Sequence, residues 1–258
     1  MITAEMKQKI RGVAGIIPIV FLWRYDLVIE MKTQTNAPVA TVILSHLFGG
    51  SYAREKMDYT VSVLNLIAII YLTLLFSQYF VKDIQESCEY LFTRYKNRMT
   101  WYLKKLMGLF VWGLIGIGII LFMYTVNAMV ESSASITFGD VKMFICVYVM
   151  LVFFFLMSVL AINYIALYKG IVVGIVGYYC VVFFSSTLTL VAQKNGINQA
   201  WFHILNPMSN IYIGWNFTNI HVIEGILYFI VLCSVLTGCI WMKIRKMDLG
   251  IHQNKENI

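Results

Sequence analysis

The residues that most often carry chemistry are scattered in this sequence. His46, His203 and His221 stand far apart without metal-ligand spacing, and Cys88, Cys146, Cys180, Cys233 and Cys239 form no Cys-x-x-Cys pair. Such usage implies neither a zinc site nor a disulfide framework. There is no Gly-x-x-x-x-Gly-Lys-[Ser/Thr] phosphate loop, no His-Glu-x-x-His and no Gly-x-Ser-x-Gly, which removes the usual signatures of nucleotide, metalloprotease and serine-hydrolase chemistry. Asn163 is a lone amide in an apolar run and reads as an interhelical hydrogen bonder, not a catalytic group. The expectation is a chain with no catalytic, metal-binding or cofactor-binding residues of its own.

The spacing that does carry information lies between Lys82 and Lys105. Ile84, Cys88, Leu91, Phe92 and Tyr95 recur at helical intervals and form one apolar stripe, while Asp83, Glu86 and Glu89 fall away from it. An amphipathic helix over 83–95 follows, of a kind that rests on a membrane or docks in a groove on a partner. Lys96, Asn97, Arg98, Trp101, Tyr102, Lys104 and Lys105 then form a basic and aromatic collar suited to a membrane boundary.

The elements that hold this segment are read from hydropathy. Of 258 residues 60% are hydrophobic and only 13% charged, too few charges for a water-facing surface. A bilayer core of about 30 Å needs a helix of roughly 20 apolar residues. Runs free of formal charge predict spans over 59–81, 106–128, 143–166 and 170–192, and a further one over 222–242 ends at the interfacial aromatic Trp241. The apolar run beginning at Gly12 is shorter and meets Arg24, Asp26 and Glu30. Trp23-Arg24-Tyr25 offers no small-residue cleavage site, so 12–31 is read as an uncleaved first span and not a secretory signal. The predicted fold is all-α: one transmembrane domain over 1–258, a six-helix polytopic bundle with an N-terminal interfacial helix and short outer-face helices before the last span.

In that topology fourteen Lys and Arg residues lie on the side of both termini and of the 83–95 helix, against six on the other, counting Arg24. Basic loops stay inside, so both termini are expected in the cytoplasm. The net charge of +7 sits beside membrane spans, where lipid headgroups account for it, and nucleic acid is not expected as a partner. Gly170 and Gly174 form a Gly-x-x-x-Gly followed by Gly177, and Gly113, Gly116 and Gly118 lie in the third span; Gly113, Gly170, Gly174 and Gly177 are the candidate helix-packing positions. Between Lys194 and Glu224, mixed aromatic and amide residues predict short helices broken at Pro207.

The order of elements after the second span resembles the permease subunits of second-class ABC exporters, in particular the small six-span bacterial kind associated with peptide or bacteriocin export or immunity. That family carries a Glu, Leu, Thr, Arg, then Arg and Lys pattern in a coupling helix against the ATPase. Here the matching positions are Glu89, Leu91, Thr93, Arg94, Arg98 and Lys104, with Asp83, Glu86 and Phe92 on the same segment. The stretch from Met1 to Arg11, with Ile2, Met6 and Ile10 on one face, is similar to the family's interfacial helix. The resemblance implies a bacterial cytoplasmic membrane, ABC ATPase subunits that bind ATP and Mg, a second permease subunit (a copy or a different chain), the lipid bilayer and a hydrophobic or antimicrobial peptide cargo. It does not extend to the polar connection from Lys32 to Asp58, which matches no family motif. Two other classes stay open: a non-transporting immunity or scaffold protein that binds a peptide or partner, and an intramembrane enzyme.

Overall fold

The computed structural model describes residues 4–22, 66–84, 98–131, 138–194, 206–211 and 222–246. Among them every regular element is helical: α1 (Ala4–Ala14), α2 (Ile16–Leu22), α3 (Ile67–Leu75), α4 (Arg98–Glu131), α5 (Phe138–Lys169), α6 (Ile171–Lys194), α7 (Pro207–Ile211) and α8 (Val222–Lys246). Four stretches, Arg98–Val126, Val141–Lys169, Ile171–Leu188 and Ile223–Lys246, are long and apolar enough to cross a bilayer. The spans expected over 106–128, 143–166, 170–192 and 222–242 fall on these helices. Those expected over 12–31 and 59–81 lie partly outside the described residues, the first being described to Leu22 and the second from Leu66.

The axis of the fold is α5, which touches α3, α4, α6, α7 and α8. Apolar side chains on all sides, as in Leu151-Val152-Phe153-Phe154-Phe155, suit a helix with neighbours all round. Its membrane stretch is 67% buried inside the protein, against 17% for that of α6. Between α4 and α5, Phe155 packs where Gly113 has no side chain, and the Tyr148 hydroxyl donates to the Leu114 carbonyl at 2.8 Å. On the α8 side, Phe154 meets Phe229 edge to face at 5.6 Å and the Cys233 thiol donates to the Phe153 carbonyl at 3.4 Å.

The N-terminal helices run antiparallel to α3, since Gly12 lies against Leu75 and Gly15 against Tyr71, whose hydroxyl donates to the Gly12 carbonyl at 3.2 Å. Val13, Ile16 and Val20 are buried, whereas Met6 and Ile10, nearer the start of α1, are exposed. In α4, Gly116 receives Leu72 and Gly108 receives the Tyr79 ring, so one face of α4 carries α3 and its continuation.

Two details sharpen the sequence expectation, the first by departing from it. The second span does not run helically to Val81: α3 ends at Leu75, turns occupy 76–80 and helix resumes at 81–84. The Ser77 and Tyr79 amides bond three residues back, to Leu74 and Phe76, and the Phe80 and Val81 amides are taken by the Asn163 carbonyl oxygen of α5 at 3.1 and 3.4 Å. Backbone breaks at membrane depth are tolerated only where the freed groups find partners, and the fully buried Asn163 supplies them here. At Pro207, where a break between short helices was expected, a short helix begins. Asn206 accepts the Met208 amide at 3.0 Å as an N-cap, and Pro207 occupies the first helical position, where a missing N–H has no cost.

Candidate functional site

Two places in the bundle concentrate polar chemistry. The first is the end where α1, the 81–84 turn, the start of α4 and the end of α8 meet. Asp83 and Lys105, which flank the 85–97 connection, form an ion pair with a Nζ to Oδ2 distance of 2.6 Å, their side chains 27% and 18% exposed. Lys105 and Lys9 both lie over the Tyr79 ring, 4.7 and 4.5 Å from its centroid. Arg98 donates to the Ile244 and Arg245 carbonyls of α8 at 3.2 and 3.4 Å. These are among the last carbonyls of a helix, which lack amide partners within it and carry partial negative charge, so a guanidinium is well matched to them. Lys243 of α8 stands 4.2 Å from the Tyr168 ring at the end of α5. One turn deeper, Tyr102 donates to the Thr237 carbonyl at 3.0 Å and stacks on Trp241, with ring centroids 6.0 Å apart.

Of the residues expected to couple to an ATPase, Asp83 and Arg98 sit at this end in the contacts just given, and Lys104 is an exposed residue of α4. Glu86, Glu89, Leu91, Phe92, Thr93 and Arg94, with most of the helix expected over 83–95, lie outside the described residues, as do His46, His203 and His221. The partnerships of Asp83 with Lys105 and of Arg98 with α8 went unforeseen. Membership of the collar was the only signal for Lys105, and nothing in the sequence pairs position 98 with position 244.

The expected packing glycines occupy different surroundings. A Cβ on Gly174 would stand 2.6 Å from the Ile162 carbonyl oxygen and 2.9 Å from the Ala166 Cβ, so backbone meets backbone there. On Gly113 it would stand 2.8 Å from the Phe155 ring, and on Gly177 it would make only ordinary contact with Ile165. Gly170 instead serves the turn between α5 and α6: its φ of 86° is left-handed and no atom lies within 4 Å of where its Cβ would be.

The second place is a cavity of about 220 Å³ between α3, α5, α6 and α7. Its polar wall groups are hydroxyls. Ser158 donates to the Phe154 carbonyl at 2.8 Å, which leaves the Tyr178 hydroxyl to donate to Ser158 across 2.5 Å. Thr73 donates to the Ile69 carbonyl at 2.8 Å and Ser186 to the Val182 carbonyl at 2.8 Å. Among the described residues no three His, Cys, Asp or Glu side chains gather as metal ligands.

Fold and site together define a helical protein of transmembrane character. No family model, curated protein or solved structure matches the chain.

Proposed function

We propose that this chain is the permease subunit of an ATP-driven ABC exporter: a six-span bundle in a bacterial cytoplasmic membrane with both termini inside. It forms half of a translocation path with a second permease subunit and moves a hydrophobic or antimicrobial peptide. A separate ATPase binds ATP and Mg and presses on the 83–95 segment. The motion shifts the bundle between inward-open and outward-open forms.

The observation that carries this reading is the attachment of the connection at both flanks. Asp83 is tied to Lys105 of α4, and Arg98 to the end of α8. A force applied between them is thereby delivered to the broken α3 run, to α4 and to α8 together. The resemblance of Glu89, Leu91, Thr93, Arg94, Arg98 and Lys104 to a coupling helix supports the same assignment.

The test is purification of the tagged chain from its native membrane with any bound ATPase. An ATPase should copurify, and Glu89→Arg should reduce its recovery and the peptide-stimulated ATP hydrolysis, because loss of a docked charge costs roughly 2–5 kcal/mol where a rim charge costs little. Lys255→Glu, in the C-terminal tail, is the control. A well-expressed chain that brings down no ATPase would remove the exporter assignment and leave the non-transporting immunity or scaffold reading.

A further inference from the structure

The cavity between α3, α5, α6 and α7 has a chemistry that its surroundings make specific. Phe154 and Ser158 lie near the middle of α5, with Phe154 about 24 Å from Phe138 at roughly 1.5 Å per residue, so these walls sit at the depth of the hydrocarbon core if α5 crosses the bilayer. Leu66, Ile70, Val182 and Met208 supply apolar walls, and Phe183, 72% exposed, carries the lining out to the surface of the bundle.

Four of the five hydroxyls that border the space, those of Thr73, Ser158, Tyr178 and Ser186, offer it no spare proton. Ser158, Thr73 and Ser186 each donate to a carbonyl of their own helix, and Tyr178 donates to Ser158. Tyr179 also lines the space, beside Thr73, whose own proton is committed to Ile69. A carboxylate, phosphate or peptide group entering here would lose its hydration for at most the single Tyr179 hydroxyl, a loss of several kcal/mol in an apolar setting. A hydrocarbon loses nothing. An apolar cavity of ~150 Å³ takes up benzene, so 220 Å³ corresponds in proportion to about nine carbons.

We infer that this cavity is a binding site for one acyl chain of a membrane phospholipid, entering past Phe183 with the headgroup left outside the bundle. The inference rests on immersion of these helices in a bilayer and is independent of what the chain transports.

The experiment reconstitutes the full chain in phosphatidylcholine vesicles doped with a phosphatidylcholine that carries a diazirine midway along one acyl chain. After photolysis the labelled residues are mapped by mass spectrometry. On the unaltered protein, label is expected on inward-facing lining residues such as Phe154, Ser158 and Tyr178. Ile70→Phe and Ser186→Phe fill the space from opposite walls and should each lower that label by about tenfold, as protein atoms replace the apolar contact area. Val172→Phe, on the exposed face of α6, should leave it unchanged. Label confined to exposed positions such as Val172, Val176 and Phe184 on the unaltered protein overturns the inference, whether or not the filled variants fold. So does a matched hydrophobic peptide bearing a photoreactive leucine if it marks the cavity while the phospholipid does not.

Discussion

The α5 helix and the run from Leu66 to Ile84 are made of similar residues, yet one is a single helix and the other is broken. From Phe138 to Lys169 the ladder continues without interruption. From Leu66 to Ile84 it stops at Leu75, turns, and resumes at Val81. Intrinsic helix preference does not separate them, since both are rich in Leu, Ile, Val and aromatic residues and neither described run contains proline. What differs is the neighbour. The broken run lies beside Asn163, whose carbonyl oxygen takes the Phe80 and Val81 amides while its Nδ2 is held by the Val159 carbonyl at 2.8 Å. A continuous helix satisfies its own backbone; an interrupted one depends on a side chain of another helix, and the intact α5 is the scaffold that holds that side chain in place.

The sharpest way to break this contrast is Asn163→Leu. The substitution preserves volume approximately but strands two buried amides, at roughly 1–3 kcal/mol for each unsatisfied group. A loss of about 2–6 kcal/mol is expected in unfolding of the purified protein by denaturing detergent, followed by circular dichroism. Unchanged stability would mean that the break is held by something other than Asn163.

A somewhat smaller effect should come from the contact of α5 with α6. In Gly174→Ala the new methyl would meet the Ile162 carbonyl oxygen at 2.6 Å, and a backbone oxygen cannot swing away as a side chain does. Separation of α6 from α5 at that level should cost about 1–3 kcal/mol. At Gly177 the nearest atom is 3.9 Å away, so Gly177→Ala should be neutral or gain up to about 1 kcal/mol from better helix propensity. Equal effects at the two positions, measured in the same unfolding assay, would show that α5 and α6 do not meet along this face. Tyr178→Phe removes the hydrogen bond to Ser158 from the same interface and should cost about 1 kcal/mol, within the range of interhelical bonds in lipid. A loss much beyond that would make this hydroxyl pair, and not the glycine contact, the principal tie between α5 and α6.

Much of this architecture is legible in the sequence, and the limits have physical causes. Charge-free runs locate α4, α5, α6 and α8, because the need for some 20 apolar residues is a property of the bilayer and not of neighbouring helices. Asn163 is legible as a hydrogen bonder because a lone amide in an apolar helix must find a partner. Its actual partners are backbone amides eighty residues away, and no local pattern points to them. The spacing of Gly170 and Gly174 is shared, but only the first has positive φ, since it follows the last turn of α5 and reverses the chain. At Pro207 the break is legible because proline is tolerated at the first position of a helix and not inside one, and Asn206 immediately before it is the capping signal. Nor does hydropathy distinguish α5 from α6, both apolar throughout, although one is the buried axis and the other is mostly exposed.

The smallest expected effect on stability is also the one nearest the proposed coupling. Asp83 and Lys105 join the far end of the broken run to α4, and their side chains remain partly exposed at 27% and 18%. Pairs so placed contribute about 0.2–1 kcal/mol, less as salt rises and the screening length falls to about 8 Å at physiological ionic strength. Single substitutions will mislead, because Lys105→Gln also removes a cation from the Tyr79 ring. The double-mutant cycle of Asp83→Asn and Lys105→Gln subtracts that contribution and should leave a coupling energy of about 0.5 kcal/mol that fades in high salt. The functional reading makes a separate demand on the same pair. If the tie transmits force from the 85–97 connection, each single variant should lower peptide-stimulated ATP hydrolysis by the reconstituted complex more than it lowers stability, and the exchanged pair Asp83→Lys with Lys105→Asp should recover part of it. Full hydrolysis in both single variants would leave the ion pair as a local clasp and move the path of coupling to Arg98 and α8.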